Sequence, residues 1–284
     1  MNKLLLTLMF VSFFNVNAQN PVQQFNFDGN TSNNDKTISF LGSSTFANDR
    51  NGVANGAIRL TNKFLQTVVG DLPQDNKPRS ISIWIKFNAI ATVNYIFGYG
   101  SPINGQYFGL VQQAATGATS DLSLAGWGTT NNVIVATPLA KGVWYQYSIT
   151  YDGTTSKIYR NGELLKSSDA IARATKGYIL KLGQMNTALG INADIDDLKI
   201  YNVAMTDEQV MESYTSSKPS GVVAENVATV KKGAADLKNT PEGNVVAKKV
   251  EVFSQGKKII RNNTTNISDL PEGTYLLKIT NGQN

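Results

Sequence analysis

The chain has 284 residues, 41% hydrophobic and 17% charged, with neither cysteine nor histidine and a formal net charge of +5. Without those two residue types there is no Ser-His-Asp triad, no Cys-His pair, no ordinary zinc site and no disulfide staple. The positive charge does not mark a nucleic-acid binder: residues 21–220 hold 16 Lys and Arg against 15 Asp and Glu, and residues 221–284 hold 9 against 6, so no phosphate-tracking face is expected on the larger part.

The chain opens MNKLLLTLMFVSFFNVNAQN, with Lys3 ahead of a mainly apolar run from Leu4 to Phe14 and small residues before a cut after Ala18. Residues 1–18 read as a signal peptide, which implies a secreted or cell-surface protein. At about 1.5 Å per residue the run falls short of the roughly 30 Å hydrocarbon layer, so no transmembrane segment is expected.

Period-two segments follow: SISIWIKF from Ser80, QYFGLV from Gln106, DLSLA from Asp121, NVIVA from Asn132 and YILKLG from Tyr178. Alternation of this kind, punctuated by NGQ, GTTNN, DGTT and NG, predicts half-buried antiparallel strands, about a dozen in all. In WYQYSITYDGTTSKIYRNGELL, Tyr145, Tyr147, Ile149 and Tyr151 share one face. Asp152-Gly153 turns the chain back, and Asn161-Gly162 fits a type I′ turn, giving a three-strand meander. One helix is expected, opened by the capping-box pattern Thr206 to Gln209 and running to about Tyr214. The Pro-, Gly- and Lys-bearing stretch after it reads as a linker, with a boundary near Pro219. The expected organisation is therefore 1–18 signal peptide, 19–218 β-domain, 219–240 linker and 241–284 tail.

FNFDGN at Phe25, SISIWIKF at Ser80, GVWYQYSITYDGTTSKIYRNGELL at Gly142 and ADIDDLKIYNVAMTDEQV at Ala193 resemble the landmarks of bacterial laminin G-like domains over residues 24–216. The resemblance implies an all-β, two-sheet antiparallel jelly-roll sandwich of the concanavalin A-like kind. It also implies a structural calcium, carried onto Asp28 and the pair Asp196 and Asp197, with Asn30 as a further oxygen donor. Calcium takes six to eight hard oxygens, which suits these side chains. Strict alternation sends Asp196 and Asp197 to opposite faces, which leaves open which of the two would bind and which is only solvated.

In the tail, KKVEVFSQGKKII followed by ISDLPEGTYLLKIT resembles the C-terminal sorting domain of type IX secretion substrates in Bacteroidetes, through Leu270, Gly273, Tyr275, Leu277, Lys278 and Ile279. It implies the type IX secretion machinery as a partner. The opening PNP motif is missing and the segment stops at TNGQN, so a truncated signal or a small β-appendage without a sorting role is the alternative.

Concanavalin-like glucanases use paired glutamates flanking an aspartate, and retaining hydrolysis needs two carboxyl groups about 5 Å apart. Glu163 is the one glutamate between residues 21 and 200, and Asp194, Asp196 and Asp197 show no such arrangement. The expected function is therefore non-catalytic binding of a carbohydrate or surface polymer, with a protein-binding adhesion module as the alternative and a glycoside hydrolase third. Sugar rings pack their CH faces on exposed aromatic planes. Trp127, between Gly126 and Gly128 and near Asn131 and Asn132, is the leading candidate, followed by Tyr99 and Tyr107; core packing is the competing role for all three rings. Trp84 and Trp144 read as packing residues.

Overall fold

A computed structural model describes residues 20–219 in full and the backbone of the strands within residues 226–281. The chain divides into two compact units, Met1–Lys218 and Pro219–Asn284. In chain order the strands of the first unit are β1 (Gln23–Phe25), β2 (Leu41–Gly42), β3 (Thr45–Ala47), β4 (Ala57–Thr61), β5 (Leu65–Val68), β6 (Arg79–Phe87), β7 (Asn94–Gly100), β8 (Tyr107–Gln112) and β9 (Thr119–Ala125). They continue with β10 (Val133–Pro138), β11 (Trp144–Tyr151), β12 (Ser156–Arg160), β13 (Glu163–Ser168), β14 (Ile179–Leu182), β15 (Gln184–Met185), β16 (Ala188–Leu189) and β17 (Asn192–Tyr201). The helix α1 (Asp207–Ser217) closes the unit.

Two antiparallel sheets form the sandwich. The first runs β13-β12-β11-β6-β17-β4-β3 with β1 also on β17, and the second runs β10-β9-β8-β7-β14-β5-β2. The alternation in β6 shows why they stack: Ile81, Ile83, Ile85 and Phe87 enter the core, beside Tyr147, Ile149 and Tyr151 of β11. From the second sheet come Phe97, Tyr99, Phe108, Leu110, Leu122 and Leu124. Full burial of each such aliphatic or phenyl side chain contributes about 1.5–3 kcal/mol.

The expected meander is present as β11-β12-β13, with Tyr147 opposite Arg160 and Arg160 opposite Glu163. Asp152 Oδ1 accepts the amides of Thr154 and Thr155 at its first turn, and Asn161 and Gly162 both take positive φ at the second. The capping box at Thr206 and Gln209 is formed, and α1 runs three residues past the expected end to Ser217. This helix lies on the outer face of the first sheet, where Trp84 Nε1 donates to Ser217 Oγ at 3.1 Å and Gln146 Nε2 donates to the same oxygen at 3.1 Å. Trp84 is a packing residue, and its ring also carries the Arg50 guanidinium at 5.1 Å.

In the second unit, β18 (Asn226–Val230), β19 (Lys248–Ser254), β20 (Lys257–Ile260) and β21 (Gly273–Asn281) form a sheet in the order β18-β21-β19-β20. The stretch 219–240, read as a linker, thus contributes a strand, since NVATV carries β-branched residues and pairs with β21. The expected signal peptide, 1–18, lies outside the described residues. Among the described residues no helix is long and apolar enough to cross a membrane.

Candidate functional site

The loop leaving β9 carries Trp127. Its φ is +63°, the left-handed region that a bulky residue avoids. The turn is closed by Asn132, whose Oδ1 accepts the Gly126 amide at 2.9 Å, and by the Gly105 amide, which donates to the Trp127 carbonyl at 3.1 Å. Trp127 is half-buried and meets Tyr107 edge-on, ring centroids 5.6 Å apart at 64°. Together with Val93, Tyr95, Val111, Ala125 and Met185 they form an apolar cluster on the face of the second sheet that points away from the first.

The other aromatic candidates are corrected by burial. Tyr99 is 1% exposed and Tyr107 is 3% exposed, so neither offers a ring face to a ligand. Tyr99 belongs to the main core and its hydroxyl donates to the Pro73 carbonyl at 2.9 Å. Tyr107 lies across the cross-strand pair Gly98 and Gly109. A Cβ at Gly98 would stand 2.0 Å from the Tyr107 hydroxyl, so the glycines make room for the ring and the ring covers them. That hydroxyl is buried without a hydrogen-bond partner. Asn131 is buried as well, against Asn104, Gly105 and Ala172, so its amide holds loops together, and Asn132 keeps partial exposure while bonding Gly126.

A second aromatic was missed in the sequence. Tyr178 is 47% exposed and borders a depression of about 390 Å³ with Asp71, Lys77 and Asn202. The Gln74 side chain fixes its edge, accepting the Gly177 amide at 2.8 Å and donating to the Gly177 carbonyl at 3.0 Å. The only sequence signal was a tyrosine directly before an alternating strand.

The carboxylates expected to hold metal are arranged around an arginine. Asp196 and Asp197 both accept from Arg50, the latter at 2.6 Å. They reach one guanidinium because β17 bulges here: Asp196 pairs with Trp84 and Lys199 with Ser82, and Asp197 has φ +44°. The alternation that would separate the two aspartates is broken by this extra residue. Burial pushes the Asp196 carboxyl up to about 7, with Arg50 opposing and Asp197 reinforcing. Asp28 is exposed, and its pKa is raised by burial and then by Asp197 and Asp49. Asp49 caps its own turn through the amides of Asn51 and Val53, and Asn30 does the same with the Ser32 amide. As placed, no three acidic side chains among the described residues converge into a metal cluster. Asp49 repels both Asp28 and Asp196, and Arg50 offsets that repulsion at each of them.

Asp194 is likewise engaged. Burial would raise its pKa, but hydrogen bonds from Arg59, Lys86 and Asn88 outweigh that and hold it below the ordinary value. Glu163 is exposed beside its turn. Hydrolysis of a glycosidic bond requires two carboxyl groups facing the sugar, whereas Asp194 and Asp196 are buried and held by cationic partners and Asp197 is held by Arg50.

Residues 61–211 match the family described as the concanavalin A-like lectin/glucanases superfamily. Among the curated proteins none matches. Among solved structures, the chain resembles domain 4 of a GH43 extracellular arabinanase from Geobacillus stearothermophilus, in complex with arabinotriose, at 21% identity and a TM-score of 0.56, covering 68% of this chain and 97% of that one. It also resembles the binding domain of botulinum neurotoxin serotype G, at 14% identity and a TM-score of 0.51, over 69% of this chain and 51% of the other. A structure of botulinum neurotoxin type C, whose cell entry depends on interaction with two ganglioside molecules, matches at 13% identity and a TM-score of 0.53, over 72% and 53%. The chain thus spans about half the length of these two toxin chains, and at such identities the likeness concerns the fold.

Proposed function

The chain belongs to the concanavalin A-like lectin/glucanases superfamily, and from that premise we propose that it is a non-catalytic module that recognises carbohydrate around Trp127. The observation that carries this reading is the backbone of Trp127 itself. A bulky residue held at φ +63° and left half-exposed is conformational strain of the kind that persists at ligand sites. Tyr107 buttresses the indole from one edge, and a planar ring fixed in this way is what the CH face of a sugar stacks upon. Tyr178 and its depression supply a second ring with Asp71, Lys77 and Asn202 beside it, a size suited to small ligands. Arabinotriose bound to the arabinanase domain and the ganglioside interaction of the neurotoxin support the same ligand class.

A glycan array with the full chain and Trp127→Ala tests it. Binding of a polysaccharide that falls at least tenfold in the variant, with an unchanged melting curve, is the expected result. No signal across the array favours the second reading, a protein-binding adhesion module. That reading has its own support: Val68 and Ile179 are register partners at 65% and 49% exposure, an uncovered apolar pair on the second sheet. Export to the cell exterior rests on the sequence of residues 1–18 and the motifs of residues 241–284; fusion of 241–284 to a passenger in a type IX-competent host tests the sorting role.

A further inference from the structure

The segment between β13 and β14 alternates strictly. Ile171, Arg173 and Thr175 are buried, while Ala172, Ala174 and Lys176 are exposed. Main-chain hydrogen bonds fix that orientation: Ile171 donates to Thr154, Ala174 to Gly105 at 2.8 Å, and Asp75 and Thr175 exchange a pair. Arg173 is therefore held inside the sandwich at 3% exposure.

Inside, it meets a second buried arginine. Arg79 is 0% exposed, and its guanidinium donates to the carbonyls of Pro73, Asp75 and Lys77 and to the Tyr99 hydroxyl. Arg173 has no comparable set. Its Nε donates to Ser156 Oγ at 3.2 Å, while Nη1 and Nη2 are buried and bond nothing. Thr175 Oγ1, on the same inward side of the segment, is also buried and unbonded. Both guanidiniums lie over the same two rings, Arg79 at 5.3 Å and 5.5 Å from Phe108 and Tyr151, and Arg173 at 5.2 Å and 5.6 Å.

The charge balance is as one-sided as the hydrogen bonding. Neither arginine forms an ion pair among the described residues. Burial lowers the Arg173 pKa to about 10, with repulsion from Arg79 adding to it, so it stays charged at neutral pH. A buried cation without a counter-charge is strongly unfavourable, and water can satisfy its N–H groups without neutralising it. The rings cover the guanidinium faces, which leaves the N–H edge for a partner. Gly126 borders that edge closely: a Cβ there would stand 2.7 Å from Nη1, so only a residue without a side chain keeps the N–H groups from being blocked.

We propose that Arg173 and Thr175 bind a small monovalent anion of halide size within the sandwich, where Arg79 adds to the positive field. The site lies next to Gly126, beneath the loop that carries Trp127, and it is independent of the carbohydrate reading. The test is thermal melting of the full chain in chloride against gluconate at equal ionic strength, with bromide-soaked crystals as the direct probe. Chloride is expected to raise the midpoint saturably above gluconate, the difference vanishing in Arg173→Met and shrinking in Thr175→Val. Bromide is expected to give an anomalous peak at the Arg173 edge. Should Arg173→Met fail to fold, Thr175→Val and the bromide peak decide. Equal midpoints in the two salts without a bromide peak at Arg173, or a chloride effect that survives both substitutions, overturn the proposal.

Discussion

Asp196 and Asp197, adjacent in β17, grip the same guanidinium, because the bulge at this point turns both carboxylates toward Arg50. The Arg50 side chain is 9% exposed and the two aspartates 4% and 15%, so removing the arginine strands two acids in a poorly solvated place. Arg50→Leu is expected to destabilise the domain by about 3–5 kcal/mol, the usual effect of breaking a buried pair from one side. Arg50→Lys should recover only part of it, since an ammonium is a point charge that does not match two carboxylates through a planar fork. Urea unfolding measures both; a loss within experimental error for Arg50→Leu would show that the bridge is incidental.

Tyr107 offers a prediction of the opposite sign. Its hydroxyl is buried and unbonded, so Tyr107→Phe removes an unsatisfied polar group and keeps the ring over Gly98 and Gly109. Stability should hold or rise by about 1 kcal/mol. Gly98→Ala, in contrast, places a methyl 2.0 Å from the hydroxyl position and should cost about 1–3 kcal/mol by overpacking. In a Tyr107→Ala background the same substitution should cost less, because the clash is gone. Additive costs in that double-mutant cycle would refute the packing relation.

These two sites mark the limit of what the sequence discloses. The alternation in SISIWIKF, the Asp152-Gly153 and Asn161-Gly162 turns and the Thr206 capping box depend on neighbours a few residues away, and the structure shows all of them. Tyr99 and Tyr107 stand on either side of the GSPINGQ turn, yet that turn joins strands whose side chains enter packed surfaces. Arg50, 147 residues from Asp197, carried no local sign of its partners. Alternation alone sends Asp196 and Asp197 to opposite faces, but a bulge breaks that parity through one extra backbone residue, which side-chain patterning does not reveal. Arg79 and Arg173 each look like ordinary polar positions of a strand or loop until the fold brings Phe108 and Tyr151 across both.

The helix gives a pH prediction. Asp207, at the first position of α1, accepts from Lys157 Nζ at 2.8 Å and from Tyr159 Oη at 2.7 Å. Those hydrogen bonds hold its carboxyl below the ordinary value. A depressed folded-state pKa means stabilisation that is fully present above the unfolded value, about 3.9, and lost as pH falls through the folded one. Melting midpoints taken from pH 6 down to pH 2 should therefore fall less steeply below about pH 4 in Asp207→Asn than in the unsubstituted chain. The two curves should be parallel above pH 5; parallel curves throughout would mean that the contact does not persist in solution.

Calcium is the remaining question at the aspartate cluster, and one residue separates the possibilities. Asp28 is raised by burial and then by Asp197 and Asp49, with Arg50 opposing, so its charge is disfavoured where it stands. Asp28→Asn should then leave the chain equally or more stable in chelator, because a like-charge repulsion is removed. If a calcium ion draws on the same carboxylate, the effect reverses in calcium. The unsubstituted chain would gain about 2.7 kcal/mol at a hundred times the dissociation constant, and Asp28→Asn would lose most of that gain. Melting curves of both proteins in calcium and in chelator measure all four terms. A midpoint for the unsubstituted chain that is the same in both solutions would leave Arg50 as the sole cation serving these aspartates.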